Sequence, residues 1–209
     1  HRRMRIAIIN DDMPFLVDSV ANALAGHQLT IHSLLHPVVC VERDADGVLV
    51  KIEPMCSDRT RRESIMYIEL DRADSRIRQA LARELRLVLA DVRAAVQDWP
   101  RLQAQLRADA ETIGDPESKQ LLEWFADGAM TLLGYHVERP GEVPSDGLGI
   151  FRRPGDPTDS GGCENAMNWL TRNPGEPLMA KAELRSTVHR RVPLDLIVVP
   201  LGGGKKVEA

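Results

Sequence analysis

Between Ile6 and Ser19 the chain reads IAIINDDMPFLVDS, and this stretch constrains the fold more than any other. The run Ile6-Ala7-Ile8-Ile9 is short, apolar and rich in β-branched residues, which suits a central strand. It stops at Asn10-Asp11-Asp12. A helix is expected to begin near Pro14, because proline is tolerated in a first turn whose N–H groups have no intrahelical partner. Asp11 or Asp12 is expected to cap the exposed amides. Leu16, Val20 and Leu24, with Ala23 beside them, recur at helical spacing, and Gly26 is a natural stop.

The chain after this turn alternates in the manner of a sheet. Leu29–Arg43 reads as a long strand, with a bulge or an edge position at His36-Pro37. Asp44-Ala45-Asp46-Gly47 reads as a turn and Val48–Ile52 as its hairpin partner. Pro54–Arg62 is expected to be a loop. In Ser64–Leu70, Ile65, Tyr67 and Glu69 alternate with Met66, Ile68 and Leu70, the period-2 pattern of another strand. Asp74-Ser75 opens a long helix whose apolar positions are Ile77, Leu81, Leu85, Val88, Val92 and Val96, with an end or a kink at Trp99-Pro100. The order β-α-β-β-β-α predicts an α+β fold, an antiparallel sheet with helices on one face, related to the ferredoxin-like arrangement.

Residues 99–128 read as a helical connector, broken at Gly114-Asp115-Pro116. Residues 129–209 read as a second, β-rich α+β domain. Its expected strands are Met130–Val137, Gly147–Arg152, Leu178–Leu184, Ser186–Arg190 and Leu194–Leu201, with a helix over Asn165–Leu170 and a mobile loop over Arg153–Gly162. Gly202-Gly203-Gly204-Lys205 reads as a turn or a cut end. The chain stops just as a new apolar residue appears, so the second domain is expected to be truncated at its C-terminal end. Residues 1–98 form the first expected domain.

Charge and composition exclude several classes. The net charge is −4, which argues against a basic nucleic-acid stripe. Aromatic residues make up only 4% of the chain, too few for base-stacking platforms. No apolar run approaches the ~20 residues of a membrane span. Cys40, Cys56 and Cys163 are odd in number and lack CxxC spacing, so free thiols in a reducing compartment are expected, and with them a cytoplasmic location.

No motif for chemistry is complete. Gly147-Leu148-Gly149 lacks the third glycine and following helix of a dinucleotide turn, and no phosphate-binding GxxxxGK[ST] loop occurs. His32 and His36 would share a strand face, with Cys40 in the same register. A zinc pair there lacks a well-spaced further ligand, so a polar pair or an interface contact is the stronger reading. Ser186-Thr187-Val188-His189-Arg190 offers a hydroxyl, an imidazole and a guanidinium, for which hydrogen bonding or ligand contact by His189 and Arg190 outweighs nucleophilic catalysis. Asn10, Asp11, Asp12 and Met13 are the remaining candidate, either a capped turn or a small-ligand site. There backbone amides would hold a carboxylate and an aspartate an ammonium. No catalytic residue and no metal ligand is assigned.

IAIINDDMPFLVDSV followed by LTIHSLLHPVV resembles the N-terminal region of the large bacterial NAD-specific glutamate dehydrogenases. SIMYIELDR, VQDWPRL, FADGAMTLLGYHV with GLGIFRR, and ELRSTVHRRVPLDLIVV follow in the same order, so the resemblance spans nearly the whole chain. It implies a regulatory region built of ACT-like modules, sometimes with a PAS-like one, whose NAD-binding and catalytic parts lie far downstream. ACT modules often bind amino acids at module interfaces, but their usual glycine at the first strand-to-helix turn is replaced here by Asn10-Asp11-Asp12.

The expected function is therefore a non-catalytic regulatory and assembly fragment, with NAD a cofactor of the parent only. Its expected partners are the rest of the parent chain, further copies in a homo-oligomer and an amino-acid effector, with no nucleic acid or membrane. The alternatives are a stand-alone amino-acid sensor and a purely structural oligomerisation module.

Overall fold

The computed structural model describes residues 3–138, 145–152, 169, 172–173, 175–201 and 205–208. The chain divides into two compact units, residues 1–89 and 90–209, each an antiparallel sheet accompanied by helices.

In the first unit, β1 (Arg3–Asp11) leads to α1 (Leu16–Gly26), then β2 (Ile31–Leu35), β3 (Val38–Arg43), β4 (Leu49–Glu53) and β5 (Arg61–Asp71). β5 lies between β1 on one side and β2 with β3 on the other, and β4 closes the far edge. All these pairings are antiparallel. The expected long strand Leu29–Arg43 is thus two short strands on one neighbour, interrupted at His36-Pro37. Proline has no N–H to donate to a ladder, yet its carbonyl still accepts from the Ile65 amide at 3.0 Å. The alternation in β5 divides its faces as the sequence indicates. Met66, Ile68 and Leu70 are fully buried and pair with Ile8, Ile6 and Met4 of β1. Leu16, Val20, Ala23 and Leu24 of α1 complete that core with Leu81, Leu85 and Val88.

The helix start differs from expectation. Phe15 stands at the N-cap in a left-handed conformation, φ 70°, and makes no side-chain cap hydrogen bond. Asp11 instead pairs with Glu63 at the end of β1. The Asp12 amide donates to the Arg62 carbonyl at 3.0 Å, and its carboxylate meets Arg62 Nη2 at 3.1 Å. A residue spent on extending the strand is no longer placed to cap the helix. β5 also starts earlier than expected, at Arg61, inside the segment read as a loop.

α2 (Ser75–Ala110) passes through Pro100 without ending. Asp74 opens it by accepting from the Ile77 amide at 2.8 Å. The expected break and the separate helix after it are one element: the apolar stripe continues through Leu102, Leu106 and Ala110, and their burial outweighs the hydrogen bond lost at proline. Asp115 then caps α3 (Pro116–Trp124), accepting from the Ser118 amide at 2.8 Å. One wider π-helical turn, Phe125–Ala129, follows and includes Gly128 at φ 107°.

The second unit's sheet contains β6 (Gly134–Glu138), β7 (Ser145–Gly149), β8 (Leu178–Arg185), β9 (Pro193–Leu201) and β10 (Lys205–Glu208), in the order β7-β6-β10-β9-β8. Lys205–Glu208 form a central strand, hydrogen-bonded to β6 and β9, while Gly202-Gly203-Gly204, read with Lys205 as a turn or a cut end, lie outside the described residues. Leu102, Leu106 and Leu122 share a core with Leu132, Tyr135, Leu148, Ile197 and Val199, so residues 99–128 feed the core of this unit. β6 begins only at Gly134, and the segment expected as strand through Arg152 turns into a 3-10 turn at Ile150. Ser186–Arg190 is no strand but a bent loop between β8 and β9. Arg153–Gly162 lies outside the described residues, as does all of the expected helix Asn165–Leu170 except Trp169.

Cys40 and Cys56 are joined in a disulfide, their Cα atoms 5.1 Å apart. The odd cysteine count pointed to free thiols, but the β4 hairpin returns the chain past β3 and brings two distant cysteines within bonding reach. Cys163 lies outside the described residues.

Candidate functional site

The second unit holds a cavity of 340 Å³ whose walls come from the segment entering β6, the 3-10 turn and the β8–β9 loop. Met130, Leu133, Ile150, Phe151, Leu194 and Leu196 make it largely apolar, while His189, Arg190 and Asp195 supply polar groups. Glycine builds one wall by close approach. A Cβ on Gly134 would lie 2.6 Å from the Phe151 ring and 2.8 Å from Ile150 Cγ1. Gly149 has φ +60°, and a Cβ there would lie 2.0 Å from the Leu133 carbonyl oxygen. Phe151 meets the buried His136 ring edge-on at a centroid distance of 4.6 Å.

The loop that carries His189 and Arg190 is held from several sides. Ser186 Oγ donates to the Val188 carbonyl at 2.7 Å and accepts from the Val188 amide at 3.1 Å. The Ser186 amide donates to Val192 O at 2.9 Å. Thr187 Oγ1 donates to the buried Asp91 carboxylate at 2.7 Å. His189 sits at φ 61°, a sparsely populated region for a non-glycine residue that persists where surrounding contacts enforce it. Arg190 is exposed at the cavity and has no acidic partner among the described residues, whereas Asp195 pairs with Lys181.

The structure divides the sequence candidates among separate places. Asn10, Asp11, Asp12 and Met13 lie at the end of β1 and the turn after it, where Asn10 Nδ2 donates to the Asp11 carbonyl and Asp12 holds Arg62. Arg62 is thus one cationic partner of the turn. His32 bonds Asp71 at 2.8 Å, and His36 bonds Ser64 Oγ. The contact with His32 holds the Asp71 carboxyl below the usual carboxylate range. Among the described residues no three His, Cys, Asp or Glu side chains converge as a metal site would require. His189 and Arg190 both line the cavity of the second unit. Its apolar walls are not legible in sequence, because Met130, Phe151 and Leu194 look like ordinary core positions.

Gly147-Leu148-Gly149 does not suit a dinucleotide. A Cβ on Gly147 would lie 2.1 Å from the Phe151 carbonyl, so these glycines serve packing of the chain on itself, and a 3-10 turn follows where a helix N-terminus would be needed.

Comparison with known proteins fits this frame. The family model for the glutamate dehydrogenase ACT1 domain matches residues 1–85. Over 96% of its length the chain is 31% identical to an NAD-specific glutamate dehydrogenase of Pseudomonas aeruginosa, of which it covers 14%. Over 70% of its length it is 33% identical to the Halomonas elongata protein of that name and 29% identical to the Mycobacterium tuberculosis one, covering 10% of each. The chain therefore spans only a small part of the relatives it matches. The ACT1 match at residues 1–85, with a likeness to NAD-specific glutamate dehydrogenases that runs on over 96% of the chain, supports an N-terminal regulatory region of that family.

Proposed function

We propose that this chain is a non-catalytic regulatory and assembly segment of an NAD-dependent glutamate dehydrogenase. The parent enzyme would oxidise L-glutamate with NAD and water to 2-oxoglutarate, ammonium and NADH. The observation that carries this reading is the ACT1 match at residues 1–85, within a chain covering 10–14% of its NAD-specific relatives. The reading takes the second unit as a further module of that segment, the parent as a cytoplasmic homo-oligomer, and an amino acid or a related small molecule as the effector. An effector acts only through different affinity for two states of the enzyme.

The cavity in the second unit favours effector binding over a purely structural role, because a held loop presents to it a guanidinium with no acidic partner among the described residues. The test compares the parent enzyme with a version lacking this segment. Retained turnover with lost response to effectors supports the reading. Loss of the chemical step itself, in an enzyme that still assembles and binds NAD, contradicts it.

A further inference from the structure

We infer that the cavity of the second unit binds a small monocarboxylate with a compact apolar tail, its carboxylate held by Arg190. This deepens the regulatory reading by naming a ligand class, and rests on that reading only for its consequence in the parent enzyme.

Three observations carry it. First, the cavity's 340 Å³ is at the small end of ligand pockets, which suits a molecule the size of a leucine derivative rather than a dinucleotide. Second, its walls are aliphatic and aromatic on most sides, from Met130 and Leu133 through Phe151 to Leu194, so the ligand's body must be apolar. Third, the cavity lining includes an exposed guanidinium, that of Arg190. Arg190 has no acidic partner among the described residues, and a planar guanidinium matches a carboxylate with two parallel hydrogen bonds. Asp195 at the same cavity disfavours a doubly charged phosphate, even with its Lys181 partner.

The loop is built before any ligand arrives. Thr187 is tied to buried Asp91, Ser186 closes on Val188 and Val192, and His189 is kept in its left-handed conformation. A loop already ordered has little entropy to lose on binding, which favours affinity.

The experiment is calorimetric titration of the 209-residue chain with 4-methylpentanoate, leucine and 4-methyl-2-oxopentanoate, and with 4-methylpentanamide as the uncharged control. Arg190→Ala and Arg190→Gln are run beside the unaltered chain, with melting curves to show that both fold. Binding of at least one carboxylate, absent for the amide and weakened about tenfold or more in both variants, is expected from loss of a charged hydrogen bond. Preference for leucine would assign its ammonium to Asp195. Preference for either of the other acids would leave Asp195 with Lys181. The inference is overturned if no carboxylate binds at its solubility limit, if the amide binds as tightly, or if the folded variants bind unchanged. Binding that leaves turnover of the parent enzyme unaltered would keep the site and contradict its regulatory role.

Discussion

Asp98, 1% exposed in α2, accepts Nε and Nη2 of Arg152 with its two carboxylate oxygens and also takes the Gly149 amide at 2.8 Å. This pairing ties the helix to the end of β7 and to the turn that walls the cavity. Burial opposes the charge on Asp98, but Arg152, the Gly149 amide and Arg101 outweigh it and hold the carboxyl below the usual aspartate range. An acid whose folded pKa is depressed contributes stability that is complete above its unfolded value, about 4, and lost as pH falls through the folded value. Asp98→Ala is expected to cost the second unit about 3 kcal/mol at neutral pH, measured by denaturant unfolding, because it leaves a buried amide and a guanidinium without their acceptor. The difference from the unaltered chain should shrink below pH ~4. A difference that persists undiminished into acid would contradict this role.

Asp109 makes the opposite case. It is 2% exposed, Gln105 donates to one oxygen at 3.0 Å, and its other oxygen has no hydrogen-bond partner among the described residues. Burial raises its carboxyl above the usual range, against the pull of Gln105. An acid with a raised folded pKa destabilises increasingly as pH climbs from its unfolded value to its folded one. Asp109→Asn keeps an acceptor for Gln105 and removes the buried charge. It should therefore stabilise the chain by about 1 kcal/mol at pH 8 and leave it unchanged in acid. Melting temperatures across pH test this, and destabilisation at pH 8 would count against it.

Much of the first unit is legible in the sequence. The alternation of Met66, Ile68 and Leu70 against Ile65, Tyr67 and Glu69 identifies β5 and its buried face, because period-2 patterning follows directly from strand geometry. The helical stripe from Leu81 to Val92 is equally local. Local signals mislead where distant residues override them. Pro100 resembles a helix end, but Leu102, Leu106 and Ala110 bury the turn after it. Lys205–Glu208 carry too short an apolar pattern to read as a strand, yet as β10 they pair between strands from two distant segments. At the site, His189 and Arg190 stood out by residue type. Their supporting partner Asp91 is 96 positions away from Thr187, and no spacing rule reaches that far.

The same contact gives a prediction for the cavity. Thr187→Val preserves shape while removing the hydroxyl that donates to Asp91 at 2.7 Å. Loss of a hydrogen bond to a buried carboxylate should cost about 2 kcal/mol in denaturant unfolding. It should also raise exchange of the backbone amides of Val188 and His189. Unchanged stability and unchanged exchange would show that the loop is held by something else.

The Cys40–Cys56 bond closes a loop with a sequence separation of 16. In the chain-entropy picture a loop of that size contributes about 3 kcal/mol by restricting the unfolded chain. Thiol titration of the unfolded chain, prepared without reductant, should find Cys163 alone. Reduction, or Cys40→Ser with Cys56→Ser, should lower the unfolding midpoint of residues 1–89 accordingly. Three titratable thiols would contradict the bond.

The most direct test of the central claim is NADH formation by the 209-residue chain supplied with L-glutamate and NAD, beside the full-length parent. The account predicts turnover by the parent and none by the chain. NADH formed at a rate that scales with the concentration of the purified chain would contradict it.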